Sequence, residues 1–379
     1  MPAPKNRVHR IAVSCFFFLA GLCFSSWGSR IPDIQQKLHL NNADLGTVLL
    51  GLPTGLLISL PMAGWLVSKF GSKLVLIFSA LLYAGTLPVL GLVQTKTELI
   101  AALFLFGLGG NMLNISMNTQ AVGTENLYGR SIMASYHGIW SLAGFSGAAV
   151  GALMIGFGLS PLEHFVIISG AAALIILGAS NNVLKNDLNN NKKEPVFAKL
   201  NRSLFHLGII AFCSMICEGT MFDWSGVYFQ KIIRPDRSLV TAGYTAFMCT
   251  MAIGRFIGDW VVTKFGKKKT LQCSGALTAL GLIIAVIFPF FVTGVLGFLL
   301  VGAGVSSVVP LIYGSAGKSK TMSAGLAIAA VSTIGYLGFL VGPPFIGFIA
   351  QASSLKVSLL LIAVLGSVIT VMATRTKIA

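Results

Sequence analysis

Gly64-Trp65-Leu66-Val67-Ser68-Lys69-Phe70-Gly71-Ser72-Lys73 returns 195 residues later as Asp259-Trp260-Val261-Val262-Thr263-Lys264-Phe265-Gly266-Lys267-Lys268. Tryptophan, Lys-Phe-Gly and the closing lysine coincide. The offset is about half of the 379-residue chain, so the sequence reads as two repeats. Each copy interrupts two long apolar runs, and that pattern decides the fold.

Working outward from the two copies, the chain breaks into twelve apolar stretches, each near the roughly 20 residues that cross a bilayer as a helix. They are expected at 10–29, 45–68, 74–94, 99–121, 134–158, 162–181, 204–229, 240–263, 270–290, 293–313, 322–349 and 355–373. Two connections are longer than the rest, 30–44 and 182–203. The second is rich in Asn and Lys, contains Pro195 and reads as a solvated linker. The expected organisation is an all-α integral membrane protein: a six-helix half over 1–183, a linker over 184–203 and a second six-helix half over 204–379. Two six-helix halves related as parallel repeats are a secondary-transporter architecture, with a substrate site expected near the midplane between them.

Composition agrees. Hydrophobic residues make up 55% of the chain and charged residues only 10%, against about 25% charged in soluble domains. The mean hydropathy is +0.84. The 43 glycines suit closely packed membrane helices. The net charge of +16 would suggest a nucleic-acid partner in a polar chain; here the apolar content excludes that. The charge instead gives orientation. With the N-terminus in the cytoplasm, 19 of the 27 basic residues fall on the cytoplasmic side. Seven fall opposite (Arg30, Lys37, Lys96, Lys231, Arg234, Arg237 and Lys356), and Arg255 lies within a span. Both termini are then cytoplasmic in a multi-pass membrane protein. The first run lacks a small-x-small cleavage site and is too long for a signal-peptide core, so it reads as a retained helix. All six cysteines fall inside spans and read as apolar filler.

The Gly-x-x-x-x-Lys-Phe-Gly-x-Lys loop resembles the signature of the major facilitator superfamily between helices two and three, repeated between eight and nine. That family usually has an acid just before the basic residue; Ser68 and Thr263 stand there in this chain. Further segments are similar to the fucose-permease-like branch and to the YbjJ-like bacterial inner-membrane transporters. They are Ser29 to Ile34, the Asn118 region with His137-Gly138-Ile139-Trp140-Ser141, Glu218 to Ser225, Gly254 to Asp259, and Gly342 to Gly347. The resemblance covers the whole chain and implies a major facilitator fold with alternating access. Fucose-permease-like members place acids in the cores of spans one and four. Here span one offers Ser25 and Ser26, with Asp33 only at its rim, and span four offers asparagines. If protons are coupled, the acid has moved to the second half.

Ionisable groups inside a span cost about 2.5–3.5 kcal/mol at mid-helix, so they usually face a cavity or a partner. Glu218 lies near the middle of span seven, with Ser214, Phe222 and Ser225 following its face. A carboxyl there can exchange a proton or bind a solute, or else sit hydrogen-bonded within the bundle. Asp223 points elsewhere on the same helix and is a further proton-coupling candidate; it also fits a periplasmic gate or helix packing. Arg255 and Asp259, at i and i+4 on span eight, are expected to pair as a cytoplasmic latch or as a static stabilising pair. Span four aligns Asn111, Asn114 and Asn118 on one face. Asn111 and Asn114 are substrate candidates, because amides both donate and accept; helix packing is the alternative. Asn118 is a gating candidate or a partner of His137. His137, at the start of span five, fits a proton or structural role. Trp140 and Tyr336 are candidate stacking partners for a ring-bearing solute. Lys69, Gly71, Lys264 and Gly266 in the repeated loops are conformational candidates.

An enzyme finds no support. Gly317-Lys318-Ser319 ends like a phosphate-binding loop, but the position that would need glycine is Ile312. A channel would show a filter segment or charged rings. The expectation is therefore a monomeric secondary transporter of a small polar, sugar-like solute in a lipid bilayer, driven by protons in the uptake direction. It has no cofactor, no metal and no nucleic-acid partner. Efflux of a metabolite or drug, or passive uniport, are the alternatives.

Overall fold

The computed structural model describes residues 4–128, 132–185, 202–319 and 324–375. Among them twelve helices are long and apolar enough to cross a membrane, and no strand occurs. They run Pro4–Lys37, Asn42–Phe70 (broken at Leu50), Ser72–Leu92, Lys96–Tyr128, Met133–Gly156 and Pro161–Ala179. The second set runs Arg202–Tyr228, Ala242–Phe265, Lys267–Ile287, Phe291–Ala316 (broken after Val305), Ala324–Ala352 and Leu355–Arg375. Helices satisfy their own backbone groups, which is why only they survive in runs this apolar.

One expectation needs correcting. The first span continues through Arg30 to Lys37 with Pro32 inside it, so the long connection expected at 30–44 shrinks to a few residues. Ile31, Ile34 and Gln35 are all buried, and this packing holds the helix together past the hydrogen bond that Pro32 cannot make. Most of the expected linker, residues 186–201, lies outside the described residues, as do Arg130, Lys320 and Lys377.

The chain forms two compact units. One comprises Met1–Leu40, Thr47–Asn190 and Arg237–Leu239; the other comprises Asn41–Gly46, Asn191–Asp236 and Val240–Ala379. In the first, span one packs most heavily on span five, two on four, three on four and six, and one on six. In the second, seven packs on eleven, eight on ten, nine on ten and twelve, and seven on twelve. The pairing scheme is the same with six added to each number.

The repeated loops are copies in three dimensions as well. Gly71 has φ 81° and ψ 153°, and Gly266 has φ 80° and ψ 154°. Only glycine tolerates that region. Each of these glycines closes one helix by donating its N–H, Gly71 to the Val67 carbonyl and Gly266 to that of Val262, and at once starts the next. Trp65 meets Phe70 edge-on at 6.2 Å, and Trp260 meets Phe265 at 6.4 Å. Lys69 lies over the Trp65 ring at 4.8 Å and Lys264 over Trp260 at 5.0 Å. The helix packing repeats too. Gly107 admits the carbonyl of Leu52 and Gly302 that of Phe247, where a Cβ would collide. Both partners are again 195 residues apart.

Candidate functional site

Span seven buries Ser214, Glu218, Thr220 and Ser225. Glu218 is 7% exposed and receives a hydrogen bond from Arg255 Nη2 of span eight at 3.2 Å. Arg255 therefore does not make the i,i+4 pair expected with Asp259. Asp259 is exposed, and no side chain among the described residues pairs with it. The physical reason lies in the surroundings. A carboxylate in an apolar interior is costly without a cation, and an exposed one is not.

Aromatic rings line the same region. Phe222, one turn beyond Glu218, meets Phe247 edge-on at 5.6 Å and stacks on Phe339 at 6.4 Å with 15° between the planes. Tyr313 and Tyr336 both lie within electrostatic reach of Glu218, and the Tyr313 hydroxyl donates to Met215 Sδ at 3.9 Å. Ser214 and Ser225, expected on the Glu218 face, are buried, and their hydroxyls have no partner among the described residues. Trp224 is fully buried with its indole N–H likewise unmatched. Asp223 is half-buried and makes no ion pair among the described residues. A carboxylate held by one guanidinium nitrogen in a mostly apolar surrounding can exchange that cation for a proton or for a polar solute group.

The first unit spends its candidate residues differently. Asn111 Nδ2 donates to Ser59 Oγ at 2.8 Å and to the Leu56 carbonyl at 3.2 Å, tying span four to span two. Asn118 Nδ2 donates to the side-chain and main-chain oxygens of Asn114, at 2.9 and 2.8 Å. His137 is exposed at the start of span five and meets Phe17 edge-on at 5.5 Å; Trp140 lies 6.0 Å from Phe24. Lys69, Gly71, Lys264 and Gly266 stand at the helix corners, remote in sequence from Glu218.

A second charged cluster was missed in the sequence. Arg30 is fully buried; its Nη1 donates to Asp33 Oδ2 at 2.8 Å and its Nε to His164 Nδ1 at 3.1 Å. The i,i+3 spacing of Arg30 and Asp33 signals this pair once the first helix is known to extend past Pro32. His164 arrives from span six and left no signal. Glu125 was also missed: its Oε2 accepts from the amides of Ile132 and Met133, capping the start of span five.

Comparison with known proteins places these features in a family. The model described as Major Facilitator Superfamily matches residues 13–320 and 230–377. An uncharacterized MFS-type transporter of Yersinia pestis is 33% identical over 94% of this chain and 92% of its own. The solved nucleoside transporter NupG superposes with a TM-score of 0.76 at 15% identity, covering 98% of this chain and 99% of that one. A variant of the E. coli fucose:proton symporter FucP gives 0.62 at 19% identity, covering 97% and 98%.

Proposed function

The chain belongs to the major facilitator superfamily, and from that premise we propose that it moves a small polar, ring-bearing solute inward together with protons, by alternating access. Family membership makes it a multi-pass bacterial membrane protein that carries small molecules and is not an enzyme. The finer reading rests on one observation: the part-buried Glu218–Arg255 pair, one turn from the Phe222 ring cluster and within electrostatic reach of Tyr313 and Tyr336. In this reading the Glu218 carboxylate is neutralised in turn by Arg255 and by a proton. Protonation frees Arg255 to bind the solute, and Phe222 and Tyr336 supply faces for its ring. Asp223 and His137 are secondary proton candidates. Asn111 is not needed as a ligand, because its amide already ties span four to span two; Asn114, whose side-chain oxygen only accepts from Asn118 on its own helix, stays a solute candidate.

The fucose and nucleosides named for the solved neighbours are small, polar and ring-bearing, the class of solute this reading expects. The bias of Lys and Arg supports an inner-membrane location with both termini cytoplasmic. The two repeats supply a complete transporter in one chain, so a monomer suffices. The corners at Lys69–Gly71 and Lys264–Gly266, with Asp259 and Asn118, are the conformational elements of this scheme.

The test is proton flux. Proteoliposomes loaded with a pH-sensitive dye are challenged with sugars, sugar acids and nucleosides. The expected result is acidification of the lumen when a transported solute is added outside. Saturable solute uptake with no proton movement contradicts the coupling.

A further inference from the structure

Near the end of span one away from the amino terminus, a fully buried arginine is held by two acceptors. Arg30 Nη1 donates to Asp33 Oδ2 at 2.8 Å on its own helix, and Arg30 Nε donates to His164 Nδ1 at 3.1 Å on span six. The second bond fixes the state of the imidazole. A guanidinium N–H can only donate, so Nδ1 carries no proton, the ring is neutral and its one N–H is on Nε2. That N–H and Arg30 Nη2 are buried with no partner among the described residues. Spans one, five and six converge here: a Cβ on Gly151 of span five would collide with Ser29 Oγ and stand 3.6 Å from His164 Cε1. Pro32, two residues past Arg30, cannot donate to the Gly28 carbonyl, so the last turns of span one depend on such contacts more than on the helix ladder.

The other charged groups nearby are engaged. Glu163, within electrostatic reach of Arg30, accepts from the amide and hydroxyl of Ser160. Lys37 donates to the Gly91 carbonyl, and Glu98 at the start of span four accepts from the Gln94 amide. Lys96 begins that span, His39 lies in the turn after span one, and Tyr83 of span three stacks on Phe106. Span five carries no ionisable side chain over 144–156.

We infer that the Arg30–His164 bond is a latch between spans one and six that a proton releases. With an N–H on Nδ1 the imidazolium would face the guanidinium donor to donor and charge to charge, so the closed latch excludes the proton. Once the helices part, His164 is an ordinary histidine that takes a proton near pH ~6.5. Opening is therefore linked to proton uptake, and acid favours the open form: from pH 7.5 to 5.5 its population should rise about tenfold. The latch answers to the pH on the side of the membrane where span one ends, and it stands whether or not Glu218 couples protons.

Amide hydrogen exchange of the full-length protein in nanodiscs, with labelling times scaled for the intrinsic pH dependence, tests the latch. In the wild type, opening of residues 27–37 and 161–168 should rise about tenfold from pH 7.5 to 5.5. Residues 72–80, at the end of the unit where span three begins, should not change. His164→Asn still offers Arg30 Nε an acceptor and cannot be charged. Its exchange at pH 7.5 should match the wild type, and the rise in acid should vanish. His164→Gln supplies a second neutral acceptor for the same comparison should the first variant fail to fold. No rise in the wild type overturns the latch. So does a rise that persists in either variant, because Asp33 or Glu163 would then be the titrating group.

Discussion

The two Lys-Phe-Gly corners and the two sets of buried charges are repeated to very different degrees. At the corners, glycine dihedrals agree within a degree and lysine-to-tryptophan distances within a few tenths of an ångström. Glu218 and Arg255, by contrast, have Cys23 and Leu60 at the equivalent positions of the first half. Arg30 and His164 have Ser225 and Leu359 at theirs in the second. The packing contacts follow the corners: Ser59 and Asn111 correspond to Gly254 and Ser306, which still meet each other. Helix geometry is thus held in common by the halves, whereas each half places its charges independently. Parts that set helix geometry are duplicated, and the buried charges are not.

That contrast can be broken most sharply at the ion pair. Arg255→Leu leaves Glu218 buried without its cation and should lower stability by about 3–5 kcal/mol. Leu60→Ala at the equivalent position, already 37% exposed, should cost about 0.5 kcal/mol. Thermal unfolding in detergent reads both. Adding Glu218→Gln to Arg255→Leu should restore much of the loss, and a double variant no better than the single one would show that the pair is not the cause. Next in size, Gly107→Leu and Gly302→Leu should each cost about 3 kcal/mol by forcing a side chain into a facing carbonyl. Monodisperse yield on gel filtration should fall equally for both; a large difference would mean the repeats are not packed alike. Smallest, Lys69→Ala and Lys264→Ala should each cost about 0.5–1 kcal/mol through the lost cation–π contact, again as a matched pair in melting temperature.

The spans and the repeat were legible because both rest on local pattern. Twenty apolar residues in a row need no partner to be recognised, and Lys-Phe-Gly at a fixed offset is visible by eye. The first helix was underestimated because Pro32 and the charges beside it look like a loop; burial of Ile31 and Ile34 overrides them. Glu218 was legible as an isolated acid in an apolar run. Its partner was not, since i,i+4 spacing favours Asp259 and only the packing of span seven against span eight brings Arg255 to within 3.2 Å. His164 was invisible for the same reason: its tie to Arg30 spans 134 residues. The asparagines of span four were legible as a shared face, but sequence alone left open whether that face meets solute or helix, and the bond to Ser59 uses the Asn111 amide for the helix.

In the proposed cycle Glu218 links protons to solute movement. Glu218→Gln in proteoliposomes tests it most directly, once a transported solute is known. Counterflow of labelled solute with no pH gradient should persist, because glutamine keeps the shape of the site and needs no proton. Accumulation driven by an inwardly directed pH gradient should vanish. If the variant still concentrates solute on that gradient as the wild type does, Glu218 is not the coupling group and the account of the site is wrong.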